Sequence, residues 1–268
     1  MGYNHLVIAG SFRSGTTILT TTLAEHSQLL LANELWSYRK MSAVNAKIDR
    51  LREVYPKIGG SKSTIAKTTL GDNFEKFLAY HKLNPMTGVN DLYDKLSRFT
   101  DKTPKLVGDK LPEYLFDLGR LNSELSKPKV LICIRDGRDV LESQTKRFKL
   151  YTQLYGSPGN HWWAKETVEE CIALKVNWLS FMEAWEKAKS TYDLDYHEVY
   201  FKNLVLDLES EVRKIAEFLD IEFIELIELF ERNFKTDTYK VWKEALPGIN
   251  AKLPQSWKDM LIKHGFDI

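Results

Sequence analysis

The densest run of chemically capable residues is Gly10-Ser11-Phe12-Arg13-Ser14-Gly15-Thr16-Thr17, set between the apolar run Leu6–Ala9 and a helical pattern. Glycines ahead of a helix N-terminus let backbone N–H groups converge on an anion, and the helix dipole adds favourable potential. Gly10, Gly15 and Thr17 have Walker A spacing, but Thr16 stands where that motif has its lysine. A kinase uses that lysine on the β- and γ-phosphates. Here the positive charge lies inside the loop, on Arg13, so the loop suits a shorter phosphate chain. A second candidate is Arg135, with Ser143 eight positions on and Arg147 one helical turn further. An arginine makes paired charge-assisted hydrogen bonds to a phosphate, and a hydroxyl on the next helix adds another. The simpler reading is that Arg135 and Arg138 pair with Asp136 and Asp139 at a helix start. Glu34, a candidate base, and Lys110, a candidate cation for a leaving group, follow two further short apolar runs.

These residues need a scaffold that brings strand ends together. Leu6–Ala9, Gln28–Leu31, Leu106–Gly108, Lys129–Ile134 and Tyr196–Phe201 read as strands. Helical patterns run over Thr16–His26, Glu113–Leu125, Asp136–Phe148 and, as one long amphipathic helix, Glu166–Lys189. Helical patterning also dominates from Asp207 to the loop around Pro247. The alternation predicts an α/β fold: a parallel sheet flanked by helices, resembling P-loop nucleotide transferases. Residues from about 36 to 100 are mostly helical, broken around Lys57–Ser63, and predict a helical cap inserted in one domain spanning residues 1–268. Ligands of such sheets sit beyond the carboxyl ends of the strands, so the loops after Ala9, Gly108 and Ile134 are the places to look. Tyr151–Trp163, rich in glycine and aromatics, reads as a loop and a candidate acceptor lid. Trp178 and Trp185 are expected in the core.

Composition narrows the function classes. The 268 residues are 43% hydrophobic and 28% charged, with 38 basic against 37 acidic side chains. Those are globular proportions. The balanced charge argues against a dedicated nucleic-acid binder but allows a local basic pocket. The two cysteines, Cys133 and Cys171, read as buried reduced thiols rather than a disulfide or zinc framework. No signal peptide and no bilayer-length apolar run is apparent, which makes a cytoplasmic enzyme the expectation.

Phe12-Arg13-Ser14-Gly15-Thr16-Thr17 resembles the 5′-phosphosulfate loop of sulfotransferases that use 3′-phosphoadenosine 5′-phosphosulfate (PAPS). The pair Arg135 and Ser143 resembles that family's 3′-phosphate element in residue type and spacing, and Arg147 matches a basic residue some members use there. The resemblance implies that Arg13, Ser14, Gly15, Thr16 and Thr17 bind the sulfated end of the donor. It implies Arg135, Ser143 and Arg147 at the 3′-phosphate, and Lys240, within Tyr239–Lys243, near the donor. Val199–Ile221 resembles the family's segment near the adenosine; the family often has a tyrosine where this chain has Phe201, so either Tyr200 or Phe201 lies beside the base. Gly108-Asp109-Lys110-Leu111-Pro112 resembles the lysine-then-proline segment, which places Lys110 at the leaving group. Glu34 stands from Arg13 as the catalytic glutamate does in tyrosylprotein sulfotransferases, although Trp36 replaces an arginine found in those enzymes.

The implied activity is transfer of a sulfuryl group from PAPS to an acceptor hydroxyl, with Glu34, Lys110 and Arg13 catalytic and adenosine 3′,5′-bisphosphate as product. No metal is expected, because a single phosphosulfate needs no bridging ion. Carbohydrate, peptide tyrosine, lipid and small alcohol all stay open as acceptors. The competing readings are a P-loop small-molecule kinase and a donor-binding homologue without turnover. His5, His26 and His161 are rival bases.

Overall fold

A computed structural model describes residues 3–58, 70–157, 159, 161–234 and 240–268, with backbone only for 52–58. Five strands form its sheet: β1 (Asn4–Gly10), β2 (Leu29–Asn33), β3 (Leu106–Lys110), β4 (Lys129–Ile134) and β5 (Asp195–Tyr200). Their order is β2-β3-β1-β4-β5, and every pairing is parallel. Strands β1 to β4, the edge strand β2 included, are almost wholly buried. A parallel strand covered on both faces must be apolar throughout, which explains the unbroken runs in the sequence. The edge strand β5 is only partly covered and carries polar residues.

The helices run in chain order. α1 (Thr16–Leu23) follows β1, and α2 (Met41–Ile58), α3 (Phe74–Leu83) and α4 (Val89–Ser97) lie between β2 and β3. Next come α5 (Leu118–Glu124), α6 (Gly137–Tyr155), α7 (Val168–Ile172) and α8 (Trp178–Thr191). After β5 follow α9 (Phe201–Leu206), α10 (Leu208–Leu219), α11 (Phe223–Asn233), α12 (Trp242–Ala245), α13 (Ile249–Lys252) and α14 (Gln255–Lys263). One sheet face, with Val7, Ala9 and Ile132, packs on α2–α4 through Val44, Phe77 and Tyr93 and on Trp178, Trp185 and Trp257. The other, with Leu6, Ile8 and Leu131, packs on α1, α10 and α11 through Leu19, Ile215 and Phe230. Among the described residues no helix is long and apolar enough to cross a membrane.

Several sequence expectations need correction. The helix after β4 runs on to Tyr155, so the first five residues of the expected Tyr151–Trp163 loop are helical; of the rest, Pro158 and Asn160 lie outside the described residues. Glu166–Lys189 is two helices, because Asn177 and Ser180 form a capping box that starts α8 afresh. A second box, Thr167 with Glu170, starts α7. Glu113–Leu125 begins as a 3-10 turn, Pro112–Asp117, before α5. The break expected at Lys57–Ser63 lies outside the described residues beyond Ile58. Strand β3 extends to Lys110, so Asp109 and Lys110 are buried strand residues rather than loop residues.

Candidate active site

The chain leaves β1 for β2 on one side and returns past it to β4 on the other. A crevice therefore opens at the carboxyl end of β1, the position where such sheets bind ligands. The loop after β1 closes with Ser14, whose backbone N–H and hydroxyl both donate to the Ser11 carbonyl, at 3.2 and 2.8 Å. Gly15 ends the loop in the left-handed region, at φ 99°. A Cβ there would lie 2.5 Å from the Phe201 ring, and one on Gly10 would lie 2.5 Å from the Cys133 carbonyl oxygen. Only glycine allows these approaches. Helix α1 starts at Thr16 with no side chain capping it, which leaves its first N–H groups available to an anion.

Three arginines gather over this loop. The Arg13 Nε donates to the Ser143 hydroxyl at 2.9 Å, and an Arg135 N–H donates to the Arg13 carbonyl at 3.2 Å. The Arg135 guanidinium lies 4.6 Å from the Phe201 ring centroid, and Arg147 lies 4.0 Å over Tyr151 while donating to its hydroxyl. Burial, followed by the charges of Arg147 and Arg135, pulls the Arg13 guanidinium below its ordinary range, though water still reaches its tip. Like charges held this close favour a bound anion. The expected pairing of Arg138 with Asp136 occurs, at 2.7 Å. Arg135 approaches Asp139 only to 4.0 Å.

On the other side of the loop, the Lys110 Nζ donates to Glu34 Oε1 at 2.5 Å and to the Thr17 hydroxyl at 3.1 Å. Lys110 is 1% exposed, whereas Glu34 is half exposed. The lysine missing from position 16 is thus supplied from β3, two strands away in the chain. Glu34 has φ 59° and Arg13 φ 67°. Non-glycine residues hold that conformation only when their surroundings impose it, and such strain concentrates at functional sites. Asp109 holds the residues that follow Glu34. It is fully buried and accepts from the Leu35 and Ser37 N–H groups, at 3.3 and 2.9 Å, and from the Tyr114 hydroxyl, at 2.7 Å. Burial pushes its carboxyl up, and these three bonds pull it back.

Sequence analysis gives Asp109 no role of its own beside Lys110. The signal was an acid inside a buried apolar run, which demands partners. It also passed over Asp139, which is buried and accepts from the Lys240 and Trp242 N–H groups, at 3.1 and 3.2 Å. Lys240 meets the arginine group through this backbone bond; its side chain turns to Asp267, 3.3 Å away. Tyr239 lies outside the described residues.

Tyr200, one of the two rings expected beside the base, is not brought to the loop. Strand alternation turns it to the other sheet face, where its hydroxyl meets Glu198 and His264 at 3.1 and 3.2 Å. Phe201, the alternative, packs against Gly15 and Arg135. Among the rival bases, His26 is buried, bonded to the Glu222 carbonyl and the Gln28 N–H. His5 is buried beside Tyr38. His161 lies at the site, and burial, then Arg147 and Arg13, lower its pKa. The Cys133 thiol, donating to the Ser14 carbonyl, is pushed up to about 12 by burial.

The sequence and fold comparisons bear on the family and the fold. The model of the Sulfotransferase family matches residues 5–225. No curated protein matches the sequence. Among solved structures, the fold resembles a sulfotransferase domain from the curacin biosynthetic pathway, with TM-score 0.63, 16% identity, and coverage of 100% of this chain and 99% of that one. It also resembles a sulfotransferase domain from the Synechococcus PCC 7002 olefin synthase, with TM-score 0.64, 18% identity and coverage of 100% and 96%. A sulfotransferase from Mycobacterium avium aligns at TM-score 0.54 and 12% identity, covering 100% and 78%. At these identities the structures speak to the fold alone. The sequence match itself runs from β1 into α11 and contains the phosphate loop, Glu34, Lys110 and the arginine group, and on that ground the chain belongs to the Sulfotransferase family.

Proposed function

We propose that the protein transfers a sulfuryl group from PAPS to an acceptor hydroxyl. The observation that carries this reading is Lys110, which bridges the phosphate loop at Thr17 and the carboxylate of Glu34, beside three clustered arginines. PAPS supplies a sulfuryl group on a phosphate oxygen, together with a distant 3′-phosphate. The donor set suits both ends: loop N–H groups, Arg13 and Lys110 for the phosphosulfate, and Arg135, Ser143 and Arg147 for the 3′-phosphate. Phe201, rather than Tyr200, is the ring placed to meet the adenine side.

Glu34 takes the proton of the acceptor hydroxyl as that oxygen forms its bond to sulfur. The sulfur–oxygen bond to the 5′-phosphate breaks, and its electron pair stays on the phosphate oxygen. Lys110 and Arg13 meet the charge that appears there, and the loop N–H groups hold the equatorial sulfate oxygens. Asp109 keeps the Glu34 turn in place from below. Lys240 contributes through its backbone bond to Asp139.

Because Lys110 restores a lysine beside the loop, phosphoryl transfer from ATP is the second reading. The arginines favour the first, since they match a donor with two separated phosphate sites. The test is labelled-sulfate transfer from PAPS across carbohydrate, phenol, alcohol and tyrosine-peptide acceptors, with magnesium and ATP as the control arm. Sulfate transfer without ATP consumption is expected; magnesium-dependent ATP consumption without sulfate transfer overturns the reading.

A further inference from the structure

A line of ring contacts runs past the transfer point. From Phe12, next to Arg13, one arm passes to Phe181 at 5.2 Å and on to Phe116 at 4.8 Å. The other passes to Trp163 at 5.6 Å, His161 at 5.1 Å and Tyr151 at 4.6 Å. The exposed Trp162 stands edge-on to Phe12 at 5.3 Å. The belt touches both outer arginines: Arg13 lies 5.9 Å over Trp163 and Arg147 lies 4.0 Å over Tyr151.

Helix α6 extends this surface. Ser143, Arg147, Leu150 and Leu154 fall at i, i+4, i+7 and i+11, one face of a helix. The face that bears the anion-site groups therefore continues outward as leucine, 43% and 59% exposed. Of thirteen large apolar side chains exposed among the described residues, six belong to the segments that carry Glu34, Lys110 and Arg147 or to Trp162. Scattered exposed apolar residues need no explanation, but apolar side chains on the very segments that bear a polar site suit the apolar part of a ligand.

We infer that the acceptor is a hydroxyl carried on an extended aliphatic body, laid from Phe12 and Trp162 out along the Leu150–Leu154 face. This rests on the sulfotransferase reading and adds the acceptor class to it. Burial of methylenes makes the claim quantitative: each one buried on the belt raises kcat/KM about fourfold.

The experiment measures labelled-sulfate transfer from PAPS to straight-chain alcohols of two to ten carbons, to a methyl glycoside and to a tyrosine dipeptide. Adenosine 3′,5′-bisphosphate binding is measured in parallel. The expected result is a rise in kcat/KM of about fourfold per carbon over part of the series, with the glycoside and dipeptide poorer than octanol. Trp162→Ser and Leu154→Ser flatten that slope and leave bisphosphate affinity within about twofold. A flat chain-length profile, faster transfer to the glycoside or dipeptide, or no transfer to any alcohol by a protein that still binds the bisphosphate overturns the acceptor class and leaves the donor reading standing. Failure to bind the bisphosphate overturns both.

Discussion

The two ends of the sheet are both basic, and they differ in how the charge is matched. At the amino end a cavity of about 520 Å³ is lined by Lys105, Lys127 and Lys129. Each has a carboxylate partner: Asp220 at 3.5 Å, Asp193 at 2.6 Å and Asp195 at 3.2 Å. Backbone strain occurs there too, at Ser126, Lys127 and Asp220. At the carboxyl end Arg13, Arg135 and Arg147 crowd together, and Lys110 shares Glu34 with the loop hydroxyl. The presence of lysines and of left-handed residues therefore does not separate the two ends. What separates them is that three arginines are crowded closely enough for Arg147 and Arg135 to act on Arg13, beside a helix start whose N–H groups have no side-chain cap.

The comparison is first tested at the carboxylate of the active end. Glu34→Gln keeps the size of the side chain and removes its basicity. Turnover is expected to fall by about 100-fold or more, with adenosine 3′,5′-bisphosphate affinity preserved. Turnover near the original would move the base to His161.

A smaller loss is expected one layer down. Asp109→Asn puts an amide N–H₂ where the Leu35 and Ser37 N–H groups and the Tyr114 hydroxyl all donate, so one acceptor position is lost and the Glu34 turn loosens. A misplaced catalytic group lowers kcat on the order of 10- to 100-fold, and donor affinity stays as it was. Steady-state kinetics paired with donor titration separate this from general unfolding, which lowers both together. A drop in donor affinity as large as the drop in kcat contradicts the positioning role.

Two changes are expected to do almost nothing. Lys127→Ala and Lys129→Ala remove cations already paired at the surface, where such pairs contribute about 0–1 kcal/mol. Anion binding should move less than twofold, and a larger loss would make the amino end a site as well. Excess chelator should leave transfer unchanged, because Lys110 and Arg13 already bring positive charge to the phosphate. Activity lost to chelator and restored by magnesium would return phosphoryl transfer to first place.

Much of this site is legible in the sequence, because its parts are local. The Gly10–Thr17 loop and the Arg135–Ser143 spacing each lie in one short segment flanked by an apolar strand and a helix. Residues whose roles depend on distant partners were less legible. Asp109 reads as a surface acid until β2 brings Leu35 and Ser37 above it. Tyr200 and Phe201 stay alternatives in the sequence because only the end of β5 at Tyr200 decides which ring faces Gly15. The start of α7 was legible in principle, since Thr167 with Glu170 is a capping box in the sequence; the break before α8 rests on the Asn177–Ser180 pair, which the apolar periodicity on either side outweighed.

The most direct test of the donor assignment compares PAPS with adenosine 5′-phosphosulfate, which lacks only the 3′-phosphate. Both are titrated against the unaltered protein, Arg135→Ala and Arg13→Ala. A hydrogen bond to a charged group contributes about 1.5–3 kcal/mol. Arg135→Ala should therefore weaken PAPS by about 10- to 100-fold and bring its affinity near that of the second donor, whose own binding hardly changes. Arg13→Ala should weaken both. Equal weakening of both donors by Arg135→Ala would contradict the assignment of Arg135 to the 3′-phosphate and, with it, the division of the carboxyl end into two phosphate sites.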